Sequence, residues 1–336
     1  MQIKQFIGID VSKKTLDITI LDSQGKQIYY ERIANESKSI KSCFIAFMKQ
    51  YKALYQESVF CMEYTGIYNL PLIKWLKNQS ANIWMESGSQ INKSQGLVRG
   101  KNDKVDSLRI AHYAFTNRHS VKLWQAPREI INRLSDLLAL RSRFVKAKKQ
   151  LVVPVNEQNI YLDKESIKTI KKHNQAPVNA ITKEIEKIEK EIVALIKSDE
   201  RLYKLYKIVT SVDGVGPITA TSIIITTNEF LSITEAKKYA CYSGVAPFDH
   251  SSGSSIRGRN RISHMANKKI KTLLHLAALS AIRVKGDISE YYNRKVAEGK
   301  NKMSVLNAIR NKLVQRIFAC VKQDRLFEKK YQYLLG

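Results

Sequence analysis

The first third of the chain alternates between short apolar runs and stretches with a helical pattern. "IKQFIGIDV" has the character of an apolar strand, "TLDITILD" alternates apolar and polar residues, and "GKQIYYERI" can complete a meander. The helical stretches "SIKSCFIAFMKQY" and "LPLIKWLKN" then alternate with the strands "SVFCME" and "ANIWME", before a last helix that begins near residue 102. Three strands followed by alternating helices and strands predict a mixed sheet, and hence an α/β domain over residues 1–125.

A heptad pattern marks the second segment, residues 126–200. Apolar residues are spaced 3-4-3-4-3 among charged ones, at Val178, Ile181, Ile185, Ile188, Ile192 and Leu195. This spacing predicts a helical coiled-coil segment, with an earlier helix over residues 134–151 as its antiparallel mate. The two helices would be joined through the polar segment after Pro154. The pattern leaves open whether they pair within one chain, between two chains, or both.

The third segment, residues 201–336, has the pattern of a compact and mainly helical domain without strands. A glycine turn at 213–217 interrupts it, and so does the loop "DHSSGSSIRGRNR" at 249–261, which is rich in serine, glycine and arginine. The sequence therefore predicts an α/β domain, a helical linker and a mainly α domain.

The net charge of the chain indicates which kind of binding partner to expect. Lys and Arg number 57 against 30 Asp and Glu, a formal net charge of +27, which favours nucleic acid over an acidic membrane surface. No apolar run approaches the roughly 18 residues of a membrane span, and the N-terminus lacks the apolar stretch of a signal peptide. The four cysteines form no CxxC pair, which argues against a zinc knuckle or a disulfide framework. We therefore expect a cytoplasmic nucleic-acid protein.

Four acidic residues lie where predicted strands end or a helix begins. Asp10 and Glu63 each end an apolar strand, while Asp103 and Asp106 are three apart and share one face of a helix. A carboxylate at the end of a buried strand is costly unless it binds a cation or is well paired. Clustered oxygen ligands suit Mg²⁺ bridging to phosphate. The structural alternative is that each acid caps a turn or a helix, Asp103 above all.

The turn "SVDGVGPITATSI" is a candidate phosphate contact. Gly214 and Gly216 precede Pro217 at a predicted helix start, so backbone N–H groups there can point at a DNA phosphate. An ordinary turn between two helices explains the same residues.

The stretch after the glycine turn combines serines with cations. Between Ser251 and His275 there is no acid, and there are six basic residues: Arg257, Arg259, Arg261, Lys268, Lys269 and Lys271. A serine hydroxyl there could attack a phosphodiester while the arginines stabilise the developing charge. The alternative is a solvated basic loop that contacts the DNA backbone without a covalent role.

Five motifs occur together along this chain: "GIDVSK" at the first strand, "MEYTGIY" after the fourth, "GKNDKVDSLRIA" at the late helix, "GVGPITA" and "YSGVAPFDHSSGS". In these motifs the chain resembles, nearly end to end, the DEDD-type transposases of bacterial insertion sequences. This insertion sequence 110 family also includes the Piv-type DNA invertases.

The resemblance implies a RuvC-like domain of RNase H type over residues 1–125 and a transposase domain over 201–336. It implies that the metal-binding catalytic acids are Asp10, Glu63, Asp103 and Asp106. Ser252, directly before a glycine, would be the covalent nucleophile, although neighbouring serines leave Ser251 as an alternative. The resemblance also implies a tetramer, in which the catalytic serine and acids come from different protomers, and an element-encoded noncoding RNA that pairs with target and donor DNA.

We therefore predict a DNA transposase or recombinase that excises and inserts a mobile element, with Ser252 as nucleophile and Mg²⁺ as cofactor. One rival is a Mg²⁺-dependent nuclease or Holliday-junction resolvase in which water attacks. The serine loop and the second domain favour the recombinase, because a simple resolvase needs neither. The other rival is a non-catalytic nucleic-acid-binding protein. The placement of all four acids at strand ends or at a helix start argues against it.

Overall fold

The computed structural model of the protein describes residues 3–94, 102–252, 256–262 and 266–328, and within 249–262 it describes only the backbone. The chain divides into two compact units, residues 1–126 and 127–336. Within the described ranges, no helix is both long enough and apolar enough to span a membrane.

The first unit is built on a five-stranded sheet. Its strands are β1 (Gln5–Val11), β2 (Thr15–Leu21), β3 (Gln27–Ala34), β4 (Ser58–Glu63) and β5 (Asn82–Glu86), in the spatial order β3-β2-β1-β4-β5. β2 is antiparallel to β1 and β3, whereas β4 runs parallel to both β1 and β5. The predicted mixed sheet is confirmed. Because β1, β3, β4 and β5 run in one direction, their carboxyl ends meet at one edge of the sheet.

Helices cover both faces of this sheet. They are α1 (Ser37–Gln50), α2 (Leu70–Asn78), α3 (Gly88–Lys93) and α4 (Asp103–Thr116). α1 and α2 pack on one face, against residues such as Ile7 and Ile9, whereas α4 packs on the other face, against Phe6 and Cys61. The alternation of side chains along a strand explains this division, since residues of even number in β1 point toward α4.

Gly8 sets how closely α4 approaches the sheet. A Cβ atom at Gly8 would lie 2.2 Å from the backbone nitrogen of Ala111 and 2.3 Å from the carbonyl oxygen of Ser107. One turn of α4 therefore rests directly on the backbone of β1. Beside this contact, the buried hydroxyls of Ser107 and Thr19 are hydrogen-bonded at 2.8 Å, which ties α4 to β2 as well.

The second unit begins with a long helical hairpin. α5 (Glu129–Gln158) and α6 (Lys164–Lys197) pack antiparallel within one chain. Arg141 pairs with Glu189 at 2.7 Å, and Asn174 donates to the carbonyl of Leu151 at 3.0 Å. α5 does not end at Pro154, where the sequence predicted the joining segment. A proline removes only one helical hydrogen bond, and packing against α6 carries the helix past it.

The remaining helices surround a core centred on the last one. They are α7 (Glu200–Thr210), α8 (Pro217–Thr226), α9 (Ala236–Tyr242), α10 (Lys268–Ala281), α11 (Asp287–Ala297) and α12 (Lys302–Lys322). α12 buries Ile309, Leu313 and Ile317 completely. Arg128, just before α5, forms ion pairs with the almost fully buried Glu229 and with Asp199, both at 2.6 Å. These two ion pairs anchor the hairpin to the core.

A two-stranded hairpin lies where the sequence predicted a loop in a domain without strands. β6 (Pro247–Ser252) pairs antiparallel with β7 (Ile256–Ile262), so the expectation of no strands after residue 201 was wrong. The physical reason is that ladder hydrogen bonds join backbone groups and do not require apolar side chains. A serine- and arginine-rich strand therefore lacks the alternation by which strands are predicted.

Candidate active site

A row of charged residues crosses the sheet near the edge where the parallel strands end. Asp10 pairs with Asp17 across β1 and β2, and Asp17 pairs in turn with Arg32 on β3. On the other side, Ile9 pairs with Met62, so Glu63 follows beside Asp10, and Glu63 pairs with Glu86 on β5. We call these five residues the charged row. Strand alternation places the row on the face that α4 covers.

The start of α4 adds two more acids to this face. Asn102 is the N-cap, and its side-chain oxygen accepts a hydrogen bond from the backbone N–H of Lys104 at 2.9 Å. Asp103 and Asp106 therefore lie in the first turn of the helix without serving as its cap. The interpretation of Asp103 as a simple N-cap was wrong, because the preceding residue fills that role.

The acids act on one another electrostatically around Asp10. Partial burial, followed by the negative charges of Asp103, Asp106, Glu63 and Asp17 in that order, raises the pKa of the Asp10 carboxyl to about 6. The ordinary value is near 3.8. The structure therefore brings all four sequence-predicted acids into one electrostatic cluster.

Two arginines hold the acids of α4. Arg32 donates from one guanidinium nitrogen to Asp103 at 2.7 Å, and Arg109 donates to Asp106 at 2.7 Å. In this arrangement the described residues contain no group of three His, Cys, Asp or Glu side chains at metal-ligand spacing.

Arg32 connects Asp103 to a buried acid that sequence reasoning missed. Its Nε donates to both oxygens of Asp17 at 3.0 Å, and the Tyr30 hydroxyl donates to the same carboxylate at 2.7 Å. Asp17 is only 2% exposed. The sequence carries no local signal for it, because Asp17 falls on the polar side of the alternating strand "TLDITIL". Only the packing of α4 on that side, seen in the Thr19–Ser107 contact, shows that the acid is buried.

The surroundings of Glu63 and the chemistry of the cluster fit a hard divalent cation. A Cβ at Gly88 would lie 2.5 Å from a carboxylate oxygen of Glu63, so glycine leaves room for that carboxylate at the start of α3. Nearby, the Tyr113 hydroxyl donates to Glu86 at 3.1 Å. The acids around Asp10 offer carboxylate oxygens, and oxygen donors of this kind are the ligands that Mg²⁺ prefers.

The two candidate glycines of the second unit have different environments. Gly214 has a φ of +85° in the turn between α7 and α8, and a Cβ there would lie 2.4 Å from the carbonyl oxygen of Ala277 on α10. Packing against α10 therefore explains Gly214 structurally. Gly216 is the N-cap of α8 before Pro217, and a Cβ there would meet nothing within 4 Å. Its contact with DNA stays a prediction.

The candidate nucleophile and the arginines lie on the β6–β7 hairpin. Ser252 pairs with Ile256, and Ser251 pairs with Arg257. The backbones of Arg259 and Arg261 belong to β7. The side chains of Ser252, Arg257, Arg259 and Arg261 lie outside the described part of the structure. Their roles stay predictions.

Two candidate lysines open the helix that follows the hairpin. Asn267 caps α10 by accepting from the N–H of Ile270 at 3.1 Å, and Lys268 and Lys269 are exposed in the first turn. Cations at a helix N-terminus oppose the helix dipole. An anionic partner would relieve this unfavourable placement.

Two sequence models of one transposase family match this chain. The first, described as a transposase and built on DEDD proteins of IS110 elements, matches residues 7–157. The second, described as the transposase IS116/IS110/IS902 family, matches residues 206–293. Together they cover more than half of the chain. The first match contains the four predicted acids, and the second contains Ser252.

Individual relatives are similar over different lengths. The pilin gene-inverting protein of Moraxella bovis is 24% identical over 336 residues, which covers 97% of this chain and 98% of that protein. An uncharacterized 43.6 kDa protein of insertion element IS110 from Streptomyces coelicolor is 27% identical over 46% of this chain and 36% of its own length. The transposase for insertion sequence element IS1533 of Leptospira borgpetersenii is 31% identical over 33% of this chain and 31% of its own length.

Proposed function

Since the chain belongs to the IS110 family of DEDD transposases and is a DNA transposase or recombinase, we propose that its acid cluster holds Mg²⁺ for cutting and rejoining DNA. The ligands in this proposal are Asp10, Glu63, Asp103 and Asp106. The first unit combines the five-stranded mixed sheet with α4 in the RNase H-like architecture of a DEDD transposase domain. DNA is therefore the substrate class.

One observation carries the metal proposal. Partial burial and then four like charges, from Asp103, Asp106, Glu63 and Asp17, raise the pKa of Asp10, and a fold gains no stability from such an arrangement. A bound divalent cation would replace this repulsion with attraction. Mg²⁺ would also supply polarisation of the scissile phosphate and stabilisation of the leaving oxygen.

The chain's own groups have defined tasks in this proposal. Above about pH 6 the carboxyl of Asp10 is mostly ionised and can act as a ligand without first losing a proton. Asp103 and Asp106, which Arg32 and Arg109 hold in the structure, would serve as ligands of the cation. The two guanidinium groups lie beside these carboxylates and would be placed to neutralise phosphate oxygens of the DNA.

Ser252 is the nucleophile that we assign to the second unit. Its Oγ forms a bond to phosphorus while the bond from phosphorus to the 3′ oxygen breaks. The serine hydroxyl loses its proton and the leaving 3′ oxygen gains one, so the products are a phosphoserine link and a free 3′ hydroxyl. Rejoining is the reverse reaction on a new strand. The cations of this region would hold DNA phosphates: Arg257, Arg259, Arg261, Lys268 and Lys269.

The assembly and its guide belong to the same proposal. The family resemblance implies an element-encoded noncoding RNA as a second nucleic acid, and a net charge of +27 is compatible with more than one polyanionic partner. The α5–α6 helices offer a rod through which chains could associate as a tetramer. The domain boundaries we propose are 1–125, 126–200 and 201–336.

A trapping assay tests the nucleophile. The reaction mixture contains purified protein, Mg²⁺, DNA with the element's ends and the flanking noncoding RNA. It is denatured after reaction and examined for a covalent protein–DNA adduct. We expect an adduct with wild type and Ser251→Ala and none with Ser252→Ala. Cleaved DNA without an adduct in any variant would make water the nucleophile and the protein a Mg²⁺-dependent nuclease or resolvase. Cleavage that survives EDTA would refute the metal site.

A further inference from the structure

Exposed apolar side chains follow the charged row directly along the chain. β4 ends at Glu63, and the next seven residues contain Tyr64, Ile67, Tyr68 and Leu70, which are 72%, 71%, 37% and 58% exposed. We call these four side chains the apolar edge. A cluster of exposed apolar groups beside a functional site is a common mark of a binding surface.

The segment that carries the apolar edge is held in place by two asparagines. Asn69 is fully buried; its side-chain oxygen accepts from the N–H and the hydroxyl of Thr65, both at 2.7 Å, and its amide donates to the carbonyl of Glu63 at 2.9 Å. Asn35, at the end of β3, donates to the carbonyl of Tyr68 at 2.9 Å. The exposed side chains therefore stand on a fixed backbone, and a preorganised surface of this kind loses little entropy when it binds a partner.

Cations lie at the same edge of the sheet. The amide of Asn35 also donates to the carbonyl of Ser12 at 2.9 Å, so one side chain ties the loop after β1 to the apolar edge. That loop carries Lys13 and Lys14, both exposed. Aromatic groups beside lysines are the combination that binds a nucleic acid strand, because the rings stack on bases and the ammonium groups pair with phosphates.

We propose that the apolar edge binds an unstacked nucleobase of the DNA strand that is cut, with the ring of Tyr64 as the stacking surface and Lys13 and Lys14 on neighbouring phosphates. This inference rests on the proposed function, because it concerns the strand that reaches the acid cluster. In the proposed function the DNA strand reaches the acid cluster at this edge, and a second copy of the chain seated here would cover it. The geometry therefore favours the nucleobase over a protein partner.

Binding of a short oligothymidylate tests the stacking surface without any cleavage. Fluorescence anisotropy is measured in EDTA at raised salt, which weakens phosphate contacts and leaves stacking in place. We expect Tyr64→Ala to weaken binding at least about fivefold, because a base stacked on an aromatic ring contributes roughly 1–3 kcal/mol. Tyr64→Phe keeps the ring and should bind within about twofold of wild type.

Leu54→Ala is the matched control, since Leu54 is 54% exposed in the same unit but lies before β4, at the opposite edge of the sheet. It should bind as wild type. Equal binding by wild type and Tyr64→Ala would overturn the inference. So would a change in oligomeric state with Tyr64→Ala at unchanged oligonucleotide binding, which would make the apolar edge a contact between copies.

Photocrosslinking locates the base independently. An oligonucleotide with 5-iodouracil in place of thymine is irradiated with the full-length protein, and the modified peptides are mapped. We expect adducts at Tyr64 or Tyr68 in excess of those at Tyr161, which is 85% exposed and would react more if exposure alone decided. Adducts that follow exposure would contradict the inference.

The two proposals fail separately. Asp106→Asn should abolish Mg²⁺-dependent cleavage and leave oligothymidylate binding in EDTA unchanged, because it does not touch the apolar edge. A wild-type protein that crosslinks at Tyr64 but never cleaves DNA would refute the proposed function alone. A protein that cleaves DNA but binds oligothymidylate equally with and without the ring of Tyr64 would refute the base site alone.

Discussion

The contact between Gly8 and α4 predicts a defined effect of one added methyl group. In Gly8→Ala the new Cβ would lie 2.2 Å from the nitrogen of Ala111, whereas ordinary contact begins near 3.4 Å, so α4 must move by about 1.2 Å. The obstacle is helix backbone and cannot rotate away as a side chain would. Overpacking costs typically about 1–3 kcal/mol, and we expect the upper end of that range.

The displacement should also reach the acid cluster. Asp106 lies one residue before Ser107, whose carbonyl is the second point of contact at Gly8. A shift of about 1 Å in a catalytic group can lower a rate by roughly 100-fold. We therefore expect Gly8→Ala to lower stability by about 3 kcal/mol and cleavage by about two orders of magnitude.

Urea denaturation followed by circular dichroism measures the first effect, and Mn²⁺ affinity by calorimetry together with DNA cleavage measures the second. Gly216→Ser is the control for stability, because a Cβ there meets nothing within 4 Å and serine is a favourable N-cap. A Gly8→Ala protein with wild-type stability and wild-type Mn²⁺ affinity would refute the view that Gly8 sets the distance between α4 and the sheet.

Three further predictions concern charge. Asp10→Asn should abolish metal-dependent cleavage yet stabilise the metal-free protein above about pH 6. The raised pKa means that ionised Asp10 destabilises the folded state there. The gain in stability should vanish below about pH 4, where the Asp10 carboxyl is protonated in both the folded and the unfolded state. Urea midpoints measured across this pH range check the prediction. Arg32→Met should lower the urea midpoint, because it leaves the buried Asp17 carboxylate without its cation, and Arg32→Lys should restore stability only in part, because lysine lacks the planar fork. The double variant Lys268→Gln/Lys269→Gln should bind DNA more weakly and release about two fewer counterions on binding. The slope of the logarithm of the binding constant against the logarithm of the salt concentration, measured by fluorescence anisotropy, checks this. An unchanged slope would exclude both lysines from the interface.

The acids that could be predicted are those whose signal is local. Asp10 and Glu63 end apolar runs, and Asp103 and Asp106 share a helical face, so strand and helix periodicity alone indicated where they would lie. The order of strands and helices in the first unit followed from the same local patterns.

Asp17 and Arg32 could not be paired from the sequence, because their contact depends on the register between β2 and β3. A shift of one residue would turn Arg32 to the opposite face of the sheet. The apolar edge was hidden for a similar reason. Nothing in "YTGIYNL" distinguishes exposed apolar side chains from buried ones until the asparagine contacts are known.

The first unit combines a firm scaffold with a cluster of like charges, and the two are built from the same strands. On one face of β1, Ile7 and Ile9 are fully buried, while on the other face Gly8 is pressed against α4 and leads to Asp10. The apolar side chains buried on the first face stabilise the sheet, and this stabilisation offsets the repulsion between the acids on the second face. Ion pairs with arginines offset part of that repulsion when no cation is bound. The affinity for metal is therefore the difference in free energy between the acids paired with arginine and the acids bound to the cation. The Arg32 and Arg109 pairs therefore tune metal affinity in this proposal, and weakening either should tighten binding of the cation.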